Sequence, residues 1–300
     1  MATDRAIRPD ANVRALTFAS GGKLLAAACA DGTVKFWDVE SGALRRTMPW
    51  SKDAASFSYC ARAEMIASGS RDMVINLWDV KSGEIVRRLA GHTKRVGALA
   101  FSMDGRLLAS GSFDKTVRIW DTATGSLRFS FDEGWGNPRS LAFSPDGEIL
   151  VSANADTNLR VWNVRSGKLE RLIEDLPLAT FALSFSSDGR LLASGGPDRA
   201  IHLWDTKTWK IVRDLTGQPE MVTRLDFSPD AKTLLSGGGS EYSNLKPAQI
   251  RLWNVASGEV LRTGTSQRSV GAVAFSPDNA TVAFLEAPQM IQVWRVPARQ

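Results

Sequence analysis

Apolar and polar positions along the chain alternate in short blocks at a fixed interval. Between residues 96 and 129, four apolar runs (Val96–Phe101, Leu107–Ser110, Thr116–Trp120 and Leu127–Phe129) are divided by Met103-Asp104-Gly105, Phe113-Asp114-Lys115 and Ala123-Thr124-Gly125. Each run has strand length and is rich in β-branched, aromatic or leucine side chains, while each break holds turn-forming residues. The pattern predicts four antiparallel strands joined by tight turns. Such a sheet has two apolar faces and is not stable alone in water, so it must stack between copies of itself.

The copies are present. A Trp at the third-strand position recurs at Trp37, Trp78, Trp120, Trp162, Trp204, Trp253 and Trp294, with gaps of 41, 42, 42, 42, 49 and 41 residues. The following residue is Asp38, Asp79, Asp121, Asn163, Asp205, Asn254 and Arg295 in turn. A period of about 40–45 residues ending in Trp-Asp marks four-stranded propeller blades. On these residues the sequence resembles the WD-repeat family over essentially its whole length. The resemblance implies an all-β fold: a seven-bladed β-propeller of four-stranded antiparallel blades. Residues Ala2–Ile7 align with an outer strand, and the chain stops six residues after Trp294 with no room for a fourth strand. We therefore expect the N-terminal strand to complete the last blade and close the ring, removing two open edges. No linker or composition shift interrupts the repeat, which predicts one domain over residues 1–300.

The loops read as turn chemistry. Ser-Pro-Asp-Gly at 144–147 and its variants at 102–105, 186–189, 228–231 and 276–279 are type I turns, and Ser/Thr-Gly closes most third loops. The second loop carries Asp31, Asp72, Asp114, Asp156 or Asp198, six residues before the Trp of blades one to five. In the WD-repeat family this Asp joins a His, a strand-two Ser and the Trp indole in a buried network. Only blade three matches at all four positions, with His92, Ser110, Asp114 and Trp120. Elsewhere the His is replaced, by Trp50, Leu176 or Gln218 for example, so the ring is expected to be less tightly cross-braced than is usual in the family.

Composition narrows the chemistry. The chain has a net charge of +5, two cysteines and two histidines. Cys29 and Cys60 fall on predicted strands and read as buried free thiols in a reducing, cytoplasmic setting. The N-terminal segment lacks the apolar run of a secretory signal, and no run is long enough to span a bilayer. His92 has a structural place in the repeat, and His202, two residues before Trp204, reads as a partly buried filler. No Cys/His spacing fits zinc, and Gly237-Gly238-Gly239 is followed by no phosphate-loop Lys. The acidic residues are used in turns. The expectation is a protein that is not an enzyme and needs no cofactor or metal.

What remains is surface. By the resemblance, the face built from loops two and four around the central channel binds partners. Carried across position by position, that face presents Arg14, Arg71, Arg95, Phe113, Trp135, Arg139, Phe181 and Met221. The one insertion, 240–248 in blade six, adds Tyr242 and Lys246. It reads equally as a functional loop or a tolerated surface insertion. Arg beside aromatic residues is the composition of protein-binding hot spots. The expected function is a protein–protein interaction scaffold or adaptor, a monomeric ring within a larger complex, binding an anionic or partly apolar segment of another protein. Two alternatives stay open: a nucleic-acid-associated subunit using the same basic face, and a propeller enzyme or small-molecule sensor.

Overall fold

The structure is a computed structural model. It describes residues 4–51, 54–132, 134, 136–174, 176, 178–240, 247–287 and 289–297. Trp135, Tyr242 and Lys246 lie outside these residues. The described chain is all-β apart from a single 3-10 turn at Ser20–Gly22.

β1 covers Arg5–Ile7, and the first sheet follows as β2 (Val13–Ala19), β3 (Leu24–Cys29), β4 (Thr33–Asp38) and β5 (Leu44–Pro49). The second is β6 (Ala54–Cys60), β7 (Met65–Ser70), β8 (Ile75–Asp79) and β9 (Ile85–Leu89). The third is β10 (Val96–Phe101), β11 (Leu107–Ser112), β12 (Thr116–Asp121) and β13 (Leu127–Asp132). The fourth is β14 (Pro138–Phe143), β15 (Ile149–Asn154), β16 (Leu159–Asn163) and β17 (Lys168–Ile173). The fifth is β18 (Ala182–Phe185), β19 (Leu191–Gly195), β20 (Ile201–Asp205) and β21 (Lys210–Leu215). The sixth is β22 (Met221–Phe227), β23 (Thr233–Gly239), β24 (Ala248–Asn254) and β25 (Val260–Ser266). The last is β26 (Val273–Phe275), β27 (Thr281–Ala287) and β28 (Met290–Arg295).

Six sheets run in simple sequence order, and the seventh has the order β1-β28-β27-β26. The fold class is thus a seven-bladed β-propeller. The N-terminal strand supplies the missing outer strand of the last blade, pairing Arg5 with Val293, Ala6 with Gln292 and Ile7 with Ile291. The observed strands of the third sheet extend the expected runs by up to three residues at their C-terminal ends, because ladder pairing continues into the polar turn residues.

The chain divides into two compact units, Met1–Trp50 with Ser184–Gln300, and Ser51–Leu183. Within the second unit, apolar layers lie between neighbouring sheets: Ile75, Leu77 and Leu89 meet Leu108 and Trp120, while Ile119 and Phe131 meet Leu150 and Trp162. Phe131 stacks on Trp162 with ring centres 4.3 Å apart. Within the first unit, Leu203 and Leu215 meet Leu234 and Trp253, and Ile250 and Leu252 meet Phe284 and Trp294. Trp37, Trp120, Trp162, Trp253 and Trp294 thus each fill the layer against a neighbouring sheet. Such buried aromatics dominate core energetics.

Candidate functional site

The polar framework starts with the buried indoles. In the second to sixth sheets the Trp Nε1–H donates to a strand-two hydroxyl: Trp78 to Ser68 at 2.9 Å, Trp120 to Ser110 at 2.8 Å and Trp162 to Ser152 at 3.0 Å. Trp204 to Ser194 and Trp253 to Ser236 both measure 2.8 Å. In the third sheet the chain continues. Ser110 Oγ lies 2.7 Å from His92 Nε2, and His92 Nδ1 lies 2.8 Å from Asp114 Oδ2. Asp114 also accepts the backbone N–H groups of Thr93 and Thr116. One proton arrangement satisfies every link, with indole to Ser110, Ser110 to neutral His92, and His92 to the carboxylate. Burial holds the His92 pKa below its usual value, and the donors around Asp114 draw its carboxyl down to about 2. Ser110 is fully buried and its oxygen already accepts the indole, so this Ser-His-Asp set is a brace without access to substrate.

Three of the sheets lacking the His are braced by another route. A base two residues before the Trp reaches back to the loop-two Asp four residues earlier. Lys35 lies 3.2 Å from Asp31, Arg160 lies 2.6 Å from Asp156, and His202 Nε2 lies 2.7 Å from Asp198. Lys35 also bonds Asp10, and His202 Nδ1 bonds Asp214 at 2.7 Å. Hydrogen bonding to Asp198, opposed by burial and reinforced by Asp214, raises the His202 pKa. His202 is thus an ion-paired strut and not the filler that its position implied. In the sixth sheet Gln218 stands in for the His. Its Oε1 accepts from Ser236 at 3.3 Å and its Nε2 donates to Gln249 O at 3.0 Å. Trp50, which aligns with the His for the second blade, is buried and its backbone N–H bonds Gly32 O. The expected loosening is therefore offset in the first, fourth, fifth and sixth sheets. The four-position family pattern does not point to these bases; their signal is the Asp-to-base spacing of four residues.

On the surface of the Ser51–Leu183 unit, two Arg–aromatic stacks stand out. The Arg95 guanidinium carbon lies 4.8 Å from the Phe113 ring centre, and that of Arg139 lies 4.9 Å from the Phe181 ring centre. Phe113 N–H donates to Arg95 O at 3.0 Å, fixing loop two against the start of β10. Gly97 makes room for the ring, since a Cβ there would sit 3.0 Å from Phe113 Cε2. Both arginines are exposed, Phe113 is 39% exposed and Phe181 half-buried. The stacks open adjoining strands, because β10 packs on β14. Arg71, in loop two of the second sheet, is exposed and belongs to the same unit. Arg14 (exposed, on β2) and Met221 (half-buried, opening β22) belong to the other unit. Stacking of this kind contributes about 0.5–1 kcal/mol at exposed sites and orients the guanidinium plane.

Among the described residues, no group of three or more His, Cys, Asp or Glu side chains could hold a metal ion. Both cysteines are free and buried, and burial pushes the Cys29 thiol up to about 11. No described helix is long and apolar enough to cross a membrane.

Repeated four-stranded sheets, five of them built around a buried Trp–Ser pair and five with an Asp in loop two, define a propeller of WD-type repeats. The family described as WD domain, G-beta repeat, matches residues 83–121, 125–163, 179–205 and 209–254, together half of the chain. Each matched stretch ends on the residue after a repeat Trp. The chain belongs to the WD-repeat family. Residues 5–57 also match the family described as anaphase-promoting complex subunit 4 WD40 domain. Comparison with curated proteins gives no match. The fold fits a protein-interaction scaffold in general.

Proposed function

We propose that the chain, acting as one domain over residues 1–300, is a non-catalytic scaffold or adaptor that captures a segment of another protein in the cytoplasm. The reading rests on the paired stacks Arg95–Phe113 and Arg139–Phe181. A guanidinium lying over a ring presents its N–H edge outward, where a carboxylate can be gripped by two parallel bonds. The ring beside it offers apolar area at low conformational cost. The segment that fits is acidic with apolar residues interspersed. Arg71 extends the positive rim. The general use of WD-repeat propellers as non-enzymatic scaffolds supports the same reading, and two buried free thiols suit a reducing compartment.

The test is affinity purification from native lysate with wild type and the double variant Arg95→Glu/Arg139→Glu. Arg45→Glu/Arg165→Glu, which changes exposed arginines elsewhere, serves as the control for charge alone. The reading requires a partner retained by wild type and by the control but lost by the Arg95/Arg139 variant, with circular dichroism unchanged. Equal retention by all three would sink it. The net charge of +5 favours a second reading, binding of RNA or DNA through the same arginines. That reading requires affinity for oligonucleotides to fall steeply with salt.

A further inference from the structure

The outer half of the third sheet carries a cleft of about 450 Å³, lined by Asp114, Lys115, Thr116, Ser130, Asp132 and Gly134. Strand pairing assembles it, because Thr116 on β12 lies opposite Asp132 on β13. Side chains alternate along a strand, so Ser130 shares the face of Asp132. Val117 and Phe131, between these pairs, turn the other way into the apolar core.

The side-chain groups that the cleft still offers are acceptors. Asp114 is spent: its Oδ1 accepts from Thr116 N and Oγ1, and its Oδ2 from Thr93 N and His92 Nδ1. The Thr116 hydroxyl has thereby committed its proton. Asp132 Oδ1 accepts the Gly134 N–H at 2.8 Å, which holds the carboxylate in place. Its Oδ2 has no hydrogen-bond partner among the described residues, and neither has the exposed Ser130 hydroxyl. Two carboxylates against one ammonium leave the lining negative. Arg118, opposite Ser130, is no part of that lining; its guanidinium lies over the Trp120 ring and its Nε donates to Thr116 Oγ1. A negative cleft with a free carboxylate oxygen beside a free hydroxyl suits a donor-rich cation, the head of a Lys or Arg side chain.

The cleft adjoins the Arg95–Phe113 stack within one sheet, whose strands run in the order β10-β11-β12-β13. Arg95 immediately precedes β10, Phe113 sits in the β11–β12 loop directly before Asp114, and the cleft lies on β12 and β13. One side of the sheet thus offers N–H donors to an acid and the other offers acceptors to a base, with the Phe113 ring between them. Strands lie about 4.8 Å apart, so the two ends are separated by about 10–15 Å, the span of about three to four extended residues. We propose that the partner segment crosses the third sheet and carries, three to four positions from its acidic residue, a Lys or Arg whose head enters this cleft. The inference rests on the reading of the Arg–Phe stacks as the partner surface and adds a sequence rule to it. A purely acidic segment would leave the Asp132 and Ser130 acceptors unused and bring like charge beside Asp132.

The experiment is selection from a random decapeptide display library on the full chain, with residue frequencies read at each spacing from an acidic position. Wild type is expected to enrich peptides with Lys or Arg three to four positions from an acid. Asp132→Asn, a change at an exposed residue, should return the base to its library frequency while the acid stays enriched. Asp132→Lys should replace the base by a second acid. Asp132→Glu keeps the charge and should retain the basic preference, which shows that any loss in Asp132→Asn is not misfolding. Arg95→Glu/Arg139→Glu should remove the acidic preference instead. A peptide selected on wild type should bind Asp132→Asn about two- to fivefold more weakly in calorimetry, the weight of an exposed charge pair. Acidic enrichment with no base at that spacing, or the same basic enrichment in Asp132→Asn, would overturn the inference and leave the partner surface standing. An acidic preference that survives Arg95→Glu/Arg139→Glu, or no enrichment on wild type, would overturn both.

Discussion

The two histidines perform the same mechanical task with opposite protonation. His92 sits between a hydroxyl and a carboxylate in a buried pocket, where desolvation favours the neutral ring. His202 has a carboxylate on each nitrogen, which favours the cation. Linkage gives the signs. The folded-state pKa of His92 is lowered, so its stabilisation is present above about 6.5 and is lost as pH falls through the folded value. That of His202 is raised, so its stabilisation is present below about 6.5 and is lost as pH rises through the folded value. His202→Gln should accordingly cost about 1–3 kcal/mol near pH 6. The gap to wild type should narrow as the pH is raised, as read from denaturant melts at several pH values. His92→Gln should show the reverse trend. Parallel pH profiles for the two variants would refute the assignment. Asp114 adds an acid limb, because its carboxyl is drawn down to about 2: its contribution is complete above about 4 and disappears as pH falls through about 2. Asp114→Ala strands the donors of Thr93 and Thr116, and a loss of about 1–3 kcal/mol near neutral pH is the expected result.

At the scale of the element, one turn design recurs because local atoms dictate it. The residue after the Trp is Asp or Asn in six sheets because its Oδ1 caps the third turn. Asp121 Oδ1 accepts from Thr124 N at 2.9 Å, and Asn163 Oδ1 from Ser166 N at 2.8 Å. Either side chain supplies that oxygen. First loops repeat a Ser–Asp pair, as in Ser102 Oγ to Asp104 Oδ1 at 2.6 Å and Ser144 Oγ to Asp146 Oδ1 at 2.5 Å. These features were legible in the sequence, since they join residues two to five apart. The strut formed by Lys35, Arg160 or His202 was legible only as a spacing, because whether the side chains meet depends on strand register. The bonds from Arg224 Nε to Gly271 O and from the Phe275 N–H to Asp226 Oδ2 were hidden, because they join residues 47 and 49 apart in the sequence. Loop two shows where sequence and backbone disagree. The residue after the Asp is left-handed throughout the first five sheets. Gly32 has φ 87° there, but Met73 (φ 71°) and Lys115 (φ 69°) bear side chains. Met73 is 40% exposed, so its side chain is dispensable. Met73→Gly removes a left-handed penalty of about 1–2 kcal/mol against a glycine entropy cost of about 0.5–1 kcal/mol. A net gain of about 0.5–1 kcal/mol in urea melts is expected, and a loss would show that the backbone there is unstrained.

For the whole molecule, the decisive join is between the two ends of the chain. Every outer strand supplied by its own repeat carries a register shift just before the Trp, as between Ile119 and Trp120 or Leu252 and Trp253. Such bulges twist an exposed edge away from chance pairing. The last blade obtains its outer strand from the N-terminus instead, and β1 pairs in plain register with no shift. Ile7 is buried beside Ile291 and Val293, and Asp4 pairs with Arg262. Removing residues 1–10 therefore does two separable kinds of damage. It deletes the burial of Ile7, worth about 1.5–3 kcal/mol, which for a chain of this size is a drop on the order of 5 °C in Tm. It also leaves β28 as a flat edge with unpaired N–H and C=O groups, a template for a second chain. The truncated protein should thus melt earlier and, in sedimentation velocity, associate as its concentration rises while the full chain does not. Adding a synthetic peptide of residues 1–10 should reverse both changes by refilling the edge. A truncated chain with unchanged melting and no tendency to associate would mean that the N-terminal strand contributes no closure.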